Sequence, residues 1–196
     1  MIRTAEAVLD GHPDKFCDIL ADAIIAEGYK DDGQCYAQIE AGVWSDAIWL
    51  SGVMVTRNPI KETVEQIVRA VGKRIGYVTG NHIDAMKYRI LSEICFINDD
   101  PDPYTAVIHD QSIVIGWAGY DSTTYFLPPE QFLVHSFRRD IMAPLRSGPL
   151  AGQGPDGKLL VIIRETDGRF MLEQVVVTLQ HRPETDLREL RSGVEI

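Results

Sequence analysis

No apolar run among the 196 residues approaches the roughly 20 that a bilayer-spanning helix needs. The opening Met1-Ile2-Arg3-Thr4-Ala5-Glu6 lacks the basic start and apolar stretch of a secretory signal, which makes the cytoplasm the expected location. Positive charge is in deficit: 19 Lys and Arg stand against 29 Asp and Glu, a formal net charge of -10. Phosphate-backbone binding needs a basic face, so a general nucleic-acid surface is not expected. A phosphorylated small molecule remains open, because a local pocket of Lys, His and metal can work inside an acidic shell. Cysteine is scarce too. Cys17, Cys35 and Cys95 are widely spaced, with no CxxC and no His/Cys cluster, which argues against structural zinc. Each lies in an apolar pattern and reads as a reduced, buried core thiol. There is no GxxxxGK[ST] to form a P-loop and no GxSxG or Ser–His–Asp arrangement to suggest acyl transfer.

What is present is an ordinary globular mixture, 45% hydrophobic and 24% charged, enough for one or two domains with a real core. Pro13 suits a helix's first turn, and Phe16, Ile19, Leu20, Ala23 and Ile24 follow at helical period up to Gly28. A second helix is expected with Asn58 as cap and Pro59 at its first position, its stripe running Ile60, Val64, Ile67, Val68, Val71 and Ile75 to Gly76. Between them, 34–43 and 47–56 are rich in aromatic and β-branched residues and read as a hairpin turning at Trp44-Ser45-Asp46. The Asn98-Asp99-Asp100-Pro101-Asp102-Pro103 loop is the expected domain boundary. Beyond it we expect a strand over 106–117, a helix over 130–142 opened by Pro128-Pro129, and a Gly/Pro-rich loop over 147–157. A hairpin of 158–164 and 170–180 then turns at Thr166-Asp167-Gly168-Arg169. Alternating helices and hairpins imply an α/β (α+β) fold of sheets covered on one face, in two halves of similar plan.

The chemistry concentrates in Gly11-His12-Pro13-Asp14-Lys15. Free N–H groups and the positive dipole end at a helix start attract phosphate. Glycine admits a ligand close to the backbone, and a carboxylate there can hold Mg²⁺ whose remaining ligands are waters and phosphate oxygens. The competing reading is a solvated first turn, since Asp, Lys and a capping His each favour such a place anyway.

Glu6-x-Val8-x-x-Gly11-His12-Pro13-Asp14-Lys15, followed by Asp18 and Asp22-Ala23-Ile24, resembles the N-terminal signature of S-adenosylmethionine synthetases, the methionine adenosyltransferases. Further blocks come in that family's order: Glu40, then Asp110-Gln111-Ser112 with Gly116-Trp117-Ala118, then Pro155-Asp156-Gly157-Lys158, then Val175-Val176-Val177-Thr178-Leu179-Gln180-His181. The family's versions read close to DQG…GYA, RPDGK and VVxSTQH. The resemblance implies a sheet-and-helix repeat fold of which this chain holds two units of three, an N-terminal-like domain at 1–98 and a central-domain-like region at 106–196. It implies ATP and L-methionine, or a related thioether, as substrates, with Mg²⁺ and K⁺ as cofactors. His12 and Lys158 are then the expected catalytic groups, and His12, Lys15, Asp110, Asp156 and Lys158 the expected ATP contacts. Asp14 is expected on Mg²⁺ and Glu40 on K⁺. Sheet faces pair between subunits in the family, so a homodimer or larger homo-oligomer is expected. Trp44, Trp49 and Val53 suit such a face, or equally an internal core.

Three departures bear on activity. Where the family carries a methionine-binding Glu in Gly-Gly-Glu, this chain reads Ser51-Gly52-Val53. The loop over 98–108 is short and lacks the family's Gln-containing block, so no role is carried over there. By the resemblance, a third domain with Gly-rich and basic phosphate motifs is expected to lie outside these 196 residues, and the helix begun at Asp186-Leu187-Arg188-Glu189-Leu190 looks interrupted. The expectation is either a piece of a longer enzyme, which the interrupted helix favours, or a naturally short relative completed by another chain, and in either case a chain nearly inactive alone. The rival expectation is a non-catalytic nucleotide-binding or regulatory paralogue. A polyphosphate hydrolase indifferent to methionine is a third, weaker reading.

Overall fold

The computed structural model of the chain describes residues 1–30, 33–107, 113–119 and 121–194. In chain order its elements are β1 (Ile2–Val8), α1 (Pro13–Gly28), β2 (Tyr36–Trp44), β3 (Ala47–Thr56), α2 (Val64–Ile75) and β4 (Arg89–Asn98). There follow the single turn α3 (Asp102–Thr105), α4 (Pro129–Ser147), β5 (Gly157–Thr166), β6 (Arg169–Leu179) and α5 (Leu187–Val194). Mixed helix and sheet is the expected class. The contacts divide the chain into two compact units: residues 1–12 with 113–196, and residues 13–112. No helix among the described residues is long and apolar enough to cross a membrane.

The 13–112 unit is a three-stranded sheet in the order β2-β3-β4, antiparallel then parallel. Its inner face, with Ile48, Leu50 and Met54, packs against Phe16, Leu20 and Ile24 of α1 and Ile67, Val68 and Val71 of α2. Phe16 also meets the rings of Tyr77 and Tyr88 at 5.5 and 6.0 Å. Burial of such side chains, worth about 1.5–3 kcal/mol each, is what holds the two helices on the sheet. The stripe read from sequence thus lies in α1 as expected. The second helix starts five residues later than expected, because Thr63 rather than Asn58 is its cap. Gln66 N–H donates to the Thr63 side chain at 3.2 Å, and the Gln66 side chain accepts from Thr63 N–H at 2.8 Å. Gly76 ends the helix at φ 116°, as a glycine C-cap should.

The β2-β3 hairpin turns at Ser45, φ 55°. Gly52 has no alternative at its place: φ is +135°, and a Cβ there would lie 2.0 Å from the Gln38 carbonyl oxygen. The outer face of the sheet carries Trp44, 77% exposed, and Trp49, 47% exposed. Those two tryptophans therefore do not belong to an internal core of this chain. Cys35 is buried as expected, Cys17 is half-buried, and Cys95 is exposed on β4, which corrects the reading of all three as core thiols.

In the other unit the strand order is β1-β5-β6, antiparallel throughout. Helix α4 lays Val134 and Ile141 over Ala5 and Ala7 of β1 and Leu159, Val161 and Ile163 of β5. The β5-β6 hairpin turns at Asp167 and Gly168, φ 51° and 71°, the paired left-handed residues of a type I′ turn. Two expectations fail here. Helix α4 continues past Met142 to Ser147 despite Pro144. The strand expected over 106–117 is not formed in its described residues: Ile113, Val114 and Ile115 are each about nine-tenths exposed, and no strand among the described residues pairs with them.

Candidate functional site

Strand β1 pairs with β5 in a register that sets Val8 opposite Lys158 and Glu6 opposite Leu160. Past Val8 the chain turns sharply, and backbone bonds hold the turn. Leu9 N–H donates to Gly157 O at 2.9 Å, Gly11 N–H to Pro155 O at 3.1 Å, and His12 N–H to Leu9 O at 3.0 Å. The approach to Pro155 is too close for any side chain at residue 11, since a Cβ would stand 2.6 Å from the Pro155 carbonyl carbon. Pro155 is itself held in place. Gln180 N–H donates to Asp156 O at 2.8 Å, and Gly154 N–H to Gln180 O at 3.1 Å.

Three of the expected site residues, His12, Asp156 and Lys158, thus come from one corner, the end of β1 and the start of β5. Burial raises the Asp156 carboxyl above the usual carboxylate range. The nearby His12 charge and a backbone hydrogen bond from Gly157 pull it down without cancelling that effect. Lys158 is exposed, and its Nζ lies 2.7 Å from Glu6 Oε2. Both side chains of that pair are about half exposed, so it is worth no more than about 1 kcal/mol, and an arriving phosphate can compete for the ammonium.

Asp14 and Lys15 follow in the first turn of α1, behind Pro13. Asp14 is exposed, and an acidic residue here complements the helix dipole. Lys15 Nζ stands 3.5 Å from Asp18 Oδ2 one turn on. Burial, then the Asp14 charge, and more weakly that of Asp18, raise the Cys17 thiol above its ordinary value, so this thiol is not an activated nucleophile.

Glu40 lies elsewhere in its unit. It is exposed in the middle of β2, not at the strand's end, on the face of the sheet turned away from α1. The register places it in a row with Ser51 of β3 and Glu93 of β4. The three line a shallow depression whose other walls include Trp49 and Leu91. Val53 occupies the next row, half-buried between Gln38 and Cys95. Asp110, with Gln111 and Ser112, lies outside the described residues. Among the described residues no group of three or more His, Cys, Asp or Glu is gathered to hold a metal ion. An apolar groove of about 680 Å³ between α4, β5, β6 and α5, walled by Phe137, Val175, Leu187 and Leu190, has Arg191 as the one charged residue of its lining among the described residues.

Three residues of this corner received no role from the sequence. Glu6 belongs to the signature but received no role; here it partners Lys158. Asp10 is paired with Arg138 at 2.6 Å, and Arg138 is one of two adjacent arginines in α4 that look like solvated charges in the sequence. Only the β1–β5 pairing and the docking of α4 bring them to the turn before His12.

Set beside known proteins, residues 1–96 match the family model of the S-adenosylmethionine synthetase N-terminal domain. The S-adenosylmethionine synthase of Aquifex aeolicus (strain VF5) is 28% identical over 198 residues, 97% of this chain and 51% of that protein. Those of Rhodospirillum centenum (strain ATCC 51521 / SW) and Borrelia garinii subsp. bavariensis are each 28% identical, over 98% and 97% of this chain and 51% of their own length. The chain thus spans about half the length of the curated relatives it matches.

Proposed function

We propose that the chain, whose residues 1–96 match the family model of the S-adenosylmethionine synthetase N-terminal domain, forms the ATP-binding part of a methionine adenosyltransferase. Its parts at 1–98 and 106–196 correspond to that enzyme's N-terminal and central domains. The observation that carries the reading is the corner of His12, Asp156 and Lys158; Asp14 and Lys15 follow His12 in the sequence.

In the proposed reaction the sulfur of L-methionine attacks the 5′ carbon of ATP. A C–S bond forms, the C5′–O bond breaks, and the triphosphate leaves with the electron pair. Water then cleaves the triphosphate to phosphate and diphosphate. A thioether sulfur is a neutral nucleophile and needs no base, so the demand on the protein is alignment and stabilisation of charge on the departing oxygens. His12 donates a hydrogen bond near the breaking bond, and Lys158 gives up Glu6 to hold the polyphosphate. Lys15 adds a second ammonium, and Asp156 and Asp110 contact the nucleotide.

Asp14, exposed in the first turn of α1, would be the carboxylate that holds Mg²⁺. Mg²⁺, when bound, would neutralise phosphate charge. For K⁺, Glu40 offers a carboxylate with the Ser51 hydroxyl and Glu93 beside it in the same row. We assign the protein to the cytoplasm. We also propose a homodimer closed over the outer face of the β2-β3-β4 sheet, where Trp44, Trp49 and Leu91 are exposed.

One observation favours a second reading. Val53, half-buried on β3 where the family carries a carboxylate, cannot pair with the ammonium of methionine. A non-catalytic nucleotide-binding paralogue, acting on a complete enzyme or a complementing chain, would need no such group. The two readings separate when the purified chain, alone and with a complementing chain that supplies the rest of the enzyme, is incubated with ATP, methionine, Mg²⁺ and K⁺ and assayed for S-adenosylmethionine and phosphate. Product that disappears in Lys158→Ala supports the enzyme. ATP binding without product under either condition supports the paralogue, and absence of both sinks the nucleotide reading altogether.

A further inference from the structure

The turn that presents His12 is held from two sides. On one, Leu9 and Gly11 bond to Gly157 and Pro155 ahead of β5. On the other stands Arg138 of α4, reaching a segment 130 residues earlier in the chain. Its Nε donates to the Val8 carbonyl at 2.6 Å and its Nη2 donates to Asp10 Oδ1 at 2.6 Å. Arg146, two turns further along the helix, stands 3.6 Å from the other Asp10 oxygen. The Asp10 and Arg138 side chains are only 23% and 25% exposed.

A guanidinium is planar, and its N–H vectors diverge in a fixed fork. An arginine that satisfies a backbone carbonyl at residue 8 and a side chain at residue 10 together therefore fixes the direction in which the chain leaves the strand. Water or a lysine can replace either bond, but not the angle between them. The docking of α4 does not need this contact, since the helix already buries Val134 and Ile141 on the sheet and packs Leu133, Phe137, Met142 and Leu145 around them. The fork serves the turn.

We propose that Arg138 is the positioning residue for His12: paired with Asp10, it fixes the turn from Val8 to His12 and so delivers the imidazole to the corner of Asp156 and Lys158. The proposal rests on the phosphate-binding reading of that corner, but the two fail separately.

The test uses the 196-residue chain with Arg138→Ala, Arg138→Lys, Asp10→Ala and, as control, Arg139→Ala, which removes the same charge from the same helix. Two quantities are read: the His12 ring cross-peak in the ligand-free NMR spectrum, and the affinity for Mg²⁺-tripolyphosphate by calorimetry. The amide spectrum confirms that each variant is folded. We expect Arg138→Ala and Asp10→Ala to move the His12 resonance and weaken binding about tenfold, equivalent to about 1.4 kcal/mol. Arg138→Lys should recover part of the loss, and Arg139→Ala should change neither quantity. Asp10→Ala is the sharpest arm. It makes the corner less negative, so simple electrostatics demands tighter binding of an anion, whereas loss of positioning demands weaker binding. A His12 resonance unmoved in folded Arg138→Ala, or tighter binding in Asp10→Ala, overturns the proposal. If the wild-type chain takes up no tripolyphosphate, the phosphate reading falls, while the His12 resonance still decides the role of Arg138.

Discussion

Replacing Gly11 by alanine puts one methyl group where the fold has no room. The added carbon would stand 2.6 Å from the carbonyl carbon of Pro155 and 2.8 Å from its oxygen. Carbon atoms in contact prefer about 3.5–4.0 Å, so the two segments must part by on the order of 1 Å. The obstacle is backbone, which cannot swing aside as a side chain can. The retreat strains the bond from Gly11 N–H to Pro155 O at 3.1 Å and its neighbour from Leu9 N–H to Gly157 O at 2.9 Å. Overpacking costs about 1–3 kcal/mol, and each weakened hydrogen bond adds up to about 1 kcal/mol. A total of about 2–4 kcal/mol is therefore expected.

The loss should fall on the unit built from β1, β5 and β6. The assay is denaturant unfolding, joined to native-state amide exchange so that the units are scored separately. The matched control is Gly116→Ala, where an added Cβ meets nothing within 4 Å. We expect exchange protection to fall at Leu9, Gly11 and Gly157 while the helices α1 and α2 keep theirs. Binding of ATP should fall more steeply than stability, because a displacement of about 1 Å at an aligned group can cost up to 100-fold. If Gly11→Ala unfolds within about 0.5 kcal/mol of Gly116→Ala, the range of an ordinary surface change, the close approach to Pro155 is not what fixes this turn.

Thr63→Ala should destabilise the α1–α2 unit by about 1 kcal/mol through loss of the capping box, whereas Asn58→Ala should not; equal effects in urea unfolding would return the helix start to Asn58. Asp156 carries a carboxyl raised by burial, so its contribution to folding is full below the ordinary value of 3.8 and lost as pH rises through its folded value. Asp156→Asn should therefore raise the unfolding midpoint at neutral pH, lose that advantage in acid, and weaken ATP binding; an unchanged midpoint at neutral pH would contradict it. Glu27 is the opposite case. It is 5% exposed and held below its ordinary 4.5 chiefly by its hydrogen bond with Lys30, aided by the Glu62 N–H at 3.2 Å. Its contribution is present above that value and lost as pH falls through the lower folded one, so Glu27→Gln should flatten the acid limb of the stability profile.

The helices and hairpins that sequence reveals best here are those whose buried face is made of large apolar residues. In α1, Phe16, Leu20 and Ile24 are all fully buried, and their spacing alone marks the helix. Strand β1 shows the reverse. Its buried face is Ala5 and Ala7, while Ile2 and Glu6 face outward, so the hydrophobic alternation points to the wrong side and no strand stands out. In β4 the sequence Ile90, Leu91, Ile94, Cys95, Phe96 mixes the two periods and admits either element; the parallel pairing with β3 decides it. The stretch Ile113 to Ile115 shows the limit of such patterns, since β-branched residues make a strand only where a partner strand supplies the hydrogen bonds.

The candidate site divides along the same line. His12, Asp14, Lys15, Asp156 and Lys158 stand out because each motif is local, a few residues whose types state their chemistry. Their usefulness, however, depends on contacts that no local pattern encodes. Pro155 is next to Gly11 because β1 pairs with β5 across the length of the chain, and Arg138 reaches Val8 because α4 lies over both strands. An arginine in a helix is usually a solvated charge, and its composition gives no hint that both arms of its fork are spent on a turn 130 residues away. The chemistry of this corner is written in adjacent residues. Its geometry is written in the packing of β1, β5 and α4. A phosphate-binding signature can therefore survive intact in a sequence whose site has lost its alignment, and the His12 resonance in Arg138→Ala is the measurement that tells those two states apart.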